Sequence, residues 1–218
     1  MTRDSLVLST SASPQLKKIY FTMAIICLIG VGISAELTRV HVYTHTDPAF
    51  HSICAVSDEV NCETVALSPY SVFAGLPISV WGIMGYLVIG MLSTWSVLGP
   101  RVLPSWIHAA LISLSSFSLV VSIVLTFISL TRIDSVCLFC MASYVINLTL
   151  FVLSAVIVRK SYTQTIAWFP LGIGSFFSNP PLASCFLLII GSSIAMVQGA
   201  VKPYWESPGW HDLPILTE

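Results

Sequence analysis

The 218-residue chain is 56% hydrophobic and only 9% charged, with a net charge of −1. A soluble domain normally carries about 25% charged residues, so this composition, at a mean hydropathy of +0.88, excludes an ordinary soluble fold and implies a polytopic membrane protein. The small net charge also excludes the basic field that nucleic-acid binding needs.

Residues 1–18 are polar, hold Arg3, Lys17 and Lys18, and read as a disordered cytoplasmic tail. Residues 19–35 form the first apolar run. Lys17-Lys18 before it and Ile33-Ser34-Ala35 at its end also fit a cleaved signal peptide, but the later topology needs this run as a retained span. A polar loop, 36–75, follows with Cys54 and Cys62 and the turn former Asp47-Pro48. Within it, the spacing of Val60, Thr64 and Leu67 predicts a short amphipathic helix over 60–67, ended by Ser68-Pro69. His41 and His45, four apart, would suit a metal if helical; the reading adopted is a solvated loop.

Three further apolar runs, 76–98, 106–130 and 135–158, are each long enough to cross a bilayer as a helix. Short turns at 99–101 and around Arg132 and Asp134 join them, and Arg159-Lys160 closes the last. Residues 161–181 are uncharged but broken by Pro170, Gly172, Gly174, Pro180 and Pro181, which predicts an interfacial or partly re-entrant segment. Residues 182–201 read as a fifth span, and 202–218 as a periplasmic tail too short to be a domain. Asn147-Leu148-Thr149 matches a glycosylation sequon but lies within the fourth span, so it is discounted.

Basic residues orient the spans. With the N-terminus inside, Arg3, Lys17, Lys18, Arg101, Arg159 and Lys160 are cytoplasmic, against Arg39, Arg132 and Lys202 outside. Cys54, Cys62, Cys137 and Cys140 then all face outward, into a compartment that in a bacterium is oxidising. Cys27 and Cys185 are isolated inside apolar runs and read as inert core residues.

Cys137-Leu138-Phe139-Cys140 sits at the start of the fourth span. Unpaired backbone N–H groups and the helix dipole favour negative charge there, which makes a reactive thiolate easier to form. Taken alone, the pair also fits a packed helix or half of a zinc site. A loop pair (Cys54, Cys62) together with a helix-anchored pair (Cys137, Cys140) makes a disulfide relay, passing a bond between pairs through a mixed disulfide. No haem, flavin or nucleotide motif appears, so the terminal acceptor is expected to be a quinone dissolved in the bilayer, with no metal.

These motifs resemble the vitamin K epoxide reductase family, in its bacterial disulfide-forming branch. The resemblance covers roughly residues 20–160 and rests on several stretches. They are Cys54-x7-Cys62, Ser68, Gly75-Leu76-Pro77-Ile78-Ser79-Val80-Trp81-Gly82 with Gly85-Tyr86, and Cys137-Leu138-Phe139-Cys140 with Ser143-Tyr144-Val145-Ile146-Asn147. It implies that Cys54 exchanges with an external thioredoxin-like partner, that Cys62 forms the transient disulfide with Cys137, and that Cys140 faces the quinone. It further implies that Ser68 and Tyr144 lie near the quinone or reactive cysteines and that Trp81 forms a quinone-pocket wall. Without the resemblance, Ser68 is a turn residue, Tyr144 an interfacial aromatic and Trp81 lipid-facing or packed. Animal members carry Asn where this chain has Ile78, which favours ubiquinone or menaquinone over an epoxide. Many bacterial members carry a fused thioredoxin-like domain after the fifth span. Here the partner is expected to be a separate periplasmic protein, or a domain missing from this chain.

The fold expected is all-α: a four-helix transmembrane bundle (19–160) around a quinone pocket, with a fifth peripheral span, in the bacterial inner membrane. The function expected is quinone-dependent oxidation of the thioredoxin-like partner. Two alternatives stand beside it. One is reduction of a quinone or quinone epoxide in the vitamin K direction; the other is a scaffold with a structural Cys54–Cys62 disulfide.

Overall fold

The computed structural model describes residues 10–160 apart from 12, 13, 48, 58, 100, 101 and 104. The segment 161–181, the fifth span, the tail and Cys185 lie outside the described residues. Thr10–Ser11 forms β1, and helix α1 runs Pro14–Thr46. Proline suits a helix's first turn because its missing N–H would be unpaired there anyway. Cys62–Leu67 is α2, and a single 3-10 turn, Pro69–Ser71, follows it. Val72–Phe73 (β2) and Leu76–Pro77 (β3) form a hairpin, with Val72 opposite Pro77 and Phe73 opposite Leu76. Its two-residue loop, Ala74-Gly75, has positive φ at both positions (53° and 77°), the twist that tight hairpins require. Ile78–Leu98 (α3), Val102–Leu103 (β4), Ser105–Ile128 (α4) and Leu138–Lys160 (α5) complete the order, and a π-turn at Ser129–Ile133 ends α4.

Four of these helices are long and apolar enough to cross a membrane, and the chain is a multi-pass membrane protein. α1 lies closest against α3 and also packs on α5; α4 packs chiefly on α5. Lipid solvates apolar side chains as well as a core does, so helix association in the membrane depends on close approach and polar contacts. Gly30 supplies the first, since a Cβ there would stand 2.9 Å from the Tyr86 ring. Ser115 and Ser154 supply the second, with hydroxyls 3.0 Å apart across α4 and α5. One core cluster, including Tyr20, Met23, Cys27, Ile89, Leu111 and Leu150, fills the end away from the cysteine pairs. Cys27 is thus a core residue, as expected. Leu28 remains exposed, as a side chain facing lipid would.

Several boundaries differ from expectation. α1 does not stop near residue 35 but continues through Thr46, so 36–46 is helix rather than loop. Its polar residues satisfy themselves on the helix. Glu36 accepts from the Arg39 guanidinium one turn on, and the hydroxyls of Thr38, Thr44 and Thr46 donate to carbonyls four residues back. His41 and His45 are therefore helical and not part of a solvated loop; His41 is buried, and its carbonyl is 2.7 Å from His45 Nδ1. The short helix begins at Cys62, because Val60 and Asn61 are drawn into extended pairing elsewhere. The N-terminal region also contributes structure: β1 pairs antiparallel with β4.

Candidate active site

Two long-range backbone contacts bring the cysteine pairs together. Val60 and Val136 form a parallel bridge: Asn61 N–H donates to Val136 O at 3.1 Å and Val136 N–H donates to Glu59 O at 2.8 Å. The Ser129 hydroxyl donates to Ser135 O at 2.6 Å, tying the same strand to the π-turn. Each chain carries a reactive-type cysteine just beyond the bridge, Cys62 on one and Cys137 on the other. Asn61 caps α2, its side-chain oxygen accepting from Glu63 N–H at 2.9 Å and Thr64 N–H at 3.3 Å. Cys62 is therefore held in the first turn of α2, where a thiolate is favoured.

Cys137 caps α5 in the same way. Its carbonyl accepts from Met141 N–H at 3.0 Å, and its sulfur accepts from Cys140 N–H at 3.2 Å. Cys137 stands one residue before the span. The Cys140 side chain holds the Cys137 thiol below its ordinary value against the opposing pull of burial, helped by the backbone N–H groups of Cys140 and Phe139. Cys54 and Cys62 are bridged, with Cα atoms 5.8 Å apart, while Cys137 and Cys140 are not. Cys54, Cys62 and Cys137 are at most 2% exposed and share one cluster with Val40, against which Cys140 and Phe139 pack. The loop pair is packed under cover in this state.

A cavity of about 300 Å³ opens beside them, and Cys62, Cys137 and Cys140 are all in its wall. Ser68, Trp81 and Tyr144 line it too, so the structure brings together all the expected site residues except Cys54, which lies behind Cys62 in the same cluster. The donor protons of Ser68 and Trp81 are committed to protein partners. The Ser68 hydroxyl donates to Val65 O at 2.8 Å at the end of α2. The Trp81 indole N–H donates to Phe73 O at 3.1 Å, tying α3 to the hairpin.

Some lining residues were not picked out from the sequence. Asn147, which stood there in a motif and a sequon but was given no role, donates through Nδ2 to Ser122 Oγ at 2.8 Å and keeps a buried Oδ1 without a partner among the described residues. An unpaired buried acceptor costs roughly 1–3 kcal/mol, so a ligand hydroxyl there would be welcome; an amide inside an apolar run was the available signal. The Ser79 and Thr38 hydroxyls stand 2.9 Å apart, and Gly85 leaves open space where a side chain would stand. Among the described residues no three His, Cys, Asp or Glu side chains group to hold a metal ion.

An apolar helical bundle with two cysteine pairs around a small-molecule cavity at one end defines a membrane oxidoreductase of the thiol-disulfide and quinone kind. Residues 21–155 match the vitamin K epoxide reductase family, and the chain belongs to that family. Members use quinone in general, and the cavity fits one. Its volume is at the lower end for small-molecule sites, apolar side chains such as Leu37, Val121 and Leu125 flank it, and a cysteine sulfur stands in its wall.

Proposed function

We propose that the protein reoxidises a separate periplasmic thioredoxin-like protein and passes the electrons through its two cysteine pairs to ubiquinone or menaquinone in the bacterial inner membrane, its N-terminus lying in the cytoplasm. The observation that carries this reading is the single buried cluster formed by Cys54, Cys62 and Cys137, with a cavity touching both pairs.

The partner's thiolate attacks Cys54, breaking its bond to Cys62. The partner's second thiol then releases Cys54 and leaves the partner oxidised. Cys62, as thiolate in the first turn of α2, attacks Cys137 when that residue is bridged to Cys140. Cys140 leaves as a thiolate facing the cavity and takes up a proton; Cys54 then attacks the Cys62–Cys137 mixed disulfide, re-forming the loop disulfide and releasing Cys137 as a thiolate. Re-forming the Cys137–Cys140 disulfide gives up two electrons, which a quinone held in the cavity would take up together with two protons. Cys137, capped by Cys140 N–H, is the thiolate that re-forms the anchored disulfide. Trp81 and the hairpin close one wall of the cavity. Tyr144 in the cavity wall would donate to a ring carbonyl, and Asn147 Oδ1 would accept from a hydroxyl of the reduced ring.

The test is Cys62→Ala in membranes. Chemically reduced Cys137–Cys140 should still reduce quinone, while oxidation of a thioredoxin-like dithiol stops. Full partner oxidation by this variant would contradict the relay.

A further inference from the structure

Glu63 follows Cys62 in α2, and its carboxylate reaches back to the other arm of the loop. Oε1 accepts the backbone N–H of Ser52, and Oε2 stands 3.9 Å from His51 Nδ1. The Ser52 hydroxyl is 3.7 Å from Cys54 Sγ. One side chain thus joins the helix of the second cysteine to the residues just before the first. The arm is folded with its cysteine inward: Cys54 is 1% exposed, while its neighbours Ile53 and Val56 are 81% and 72% exposed. Thiol-disulfide exchange requires direct access of the attacking thiolate to a sulfur. This closed arrangement offers none to Cys54 from outside, so the arm must lift before a partner can react.

We propose that Glu63 is a positioning residue: its hydrogen bond to Ser52 N–H latches the Cys54 arm shut, and release of that bond gates attack by an external dithiol. The inference rests on the reading of Cys54 as the entry point for electrons. An external thiolate bonds to Cys54 Sγ, the bond to Cys62 breaks, and Cys62 leaves as a thiolate. The second external thiolate then attacks the mixed disulfide and releases Cys54. Two electrons enter the loop pair and the external dithiol becomes a disulfide. Glu63 touches none of the reacting sulfurs and acts through Ser52.

The test uses the full chain in lipid nanodiscs with dithiothreitol as probe, the loop disulfide being followed by quenching and alkylating the freed thiols. Glu63→Ala should open the disulfide about tenfold faster, the scale of losing a hydrogen bond to a charged group. In Glu63→Gln an amide oxygen still accepts from Ser52, so that variant should stay within about threefold of wild type. Ser52→Pro, which removes the donor and leaves α2 intact, should be accelerated like Glu63→Ala, and combining the two should add nothing. A rate for Glu63→Ala equal to wild type would overturn the latch. So would Gln matching Ala, because simple repulsion of an incoming thiolate by the carboxylate gives that result. Additive effects of the two changes would overturn it as well. The probe is neither partner nor quinone, so a protein that shows the latch yet oxidises no thioredoxin-like donor would refute the proposed function and leave the latch standing.

Discussion

Asn61→Ala isolates the geometry that joins the two cysteine pairs. The substitution removes the side-chain oxygen that accepts from Glu63 N–H and Thr64 N–H but leaves the backbone hydrogen bond from residue 61 N–H to Val136 O in place. An N-cap of this type contributes about 1 kcal/mol. α2 has six residues, too few to persist on its own cooperativity, so the loss falls on the placement of Cys62 and not on the bundle. A change of about 1 kcal/mol shifts a population by about fivefold, which sets the upper limit for slowing transfer from the loop pair to the anchored pair. The assay is a single turnover. The loop pair is reduced selectively, transfer to an oxidised Cys137–Cys140 is allowed to proceed, and free thiols are trapped with maleimide and resolved by mass shift. Asn61→Ser, which keeps a capping oxygen, should recover to within about twofold of wild type. An unchanged rate in Asn61→Ala, or a serine variant as slow as the alanine, would refute the claim that this cap aims Cys62.

Other outcomes follow from the same structure. The Cys137 thiol is held low first by the Cys140 side chain, so its thiolate should persist to lower pH than a free cysteine's and vanish only as pH falls through the lowered pKa; in Cys140→Ala the titration, followed by thiolate ultraviolet absorbance, should move upward. Gly30→Ala places a methyl against the Tyr86 ring, whose hydroxyl donates to Ser143 O at 3.3 Å on α5. It should cost about 1–3 kcal/mol, seen as a lower Tm in detergent, with Gly32→Ala, which meets no neighbour, as the comparison.

The spans were legible because crossing a bilayer needs about 20 apolar residues, and no other segment of a chain looks like that. The end of α1 was not. Glu36, Arg39, His41 and Thr44 read as loop by polarity, yet an ion pair along the helix and threonine hydroxyls bonded to their own helix carbonyls carry the helix on. Cys137 and Cys140 announced themselves by spacing and position, and Cys54 and Cys62 by their place in the one long polar loop. Their meeting depended on Val60 and Val136, two residues far apart in sequence joined by a single bridge, and a contact that short leaves no periodicity to read. Asn61 was readable in principle as a capping residue, but the helical spacing that starts at Val60 placed it inside the helix. For Ser68 and Trp81 the turn and packing readings hold alongside the lining of the cavity, since each has a structural hydrogen bond of its own.

The central claim is that electrons leave through the anchored pair. The direct measurement is quinone reduction by the purified protein supplied with a reduced thioredoxin-like donor, comparing wild type with Cys140→Ala. Turnover is expected of the wild type, and its loss in the variant. Equal rates in both, or no reduction by either with a competent donor, would contradict it and leave Cys54–Cys62 as a structural disulfide.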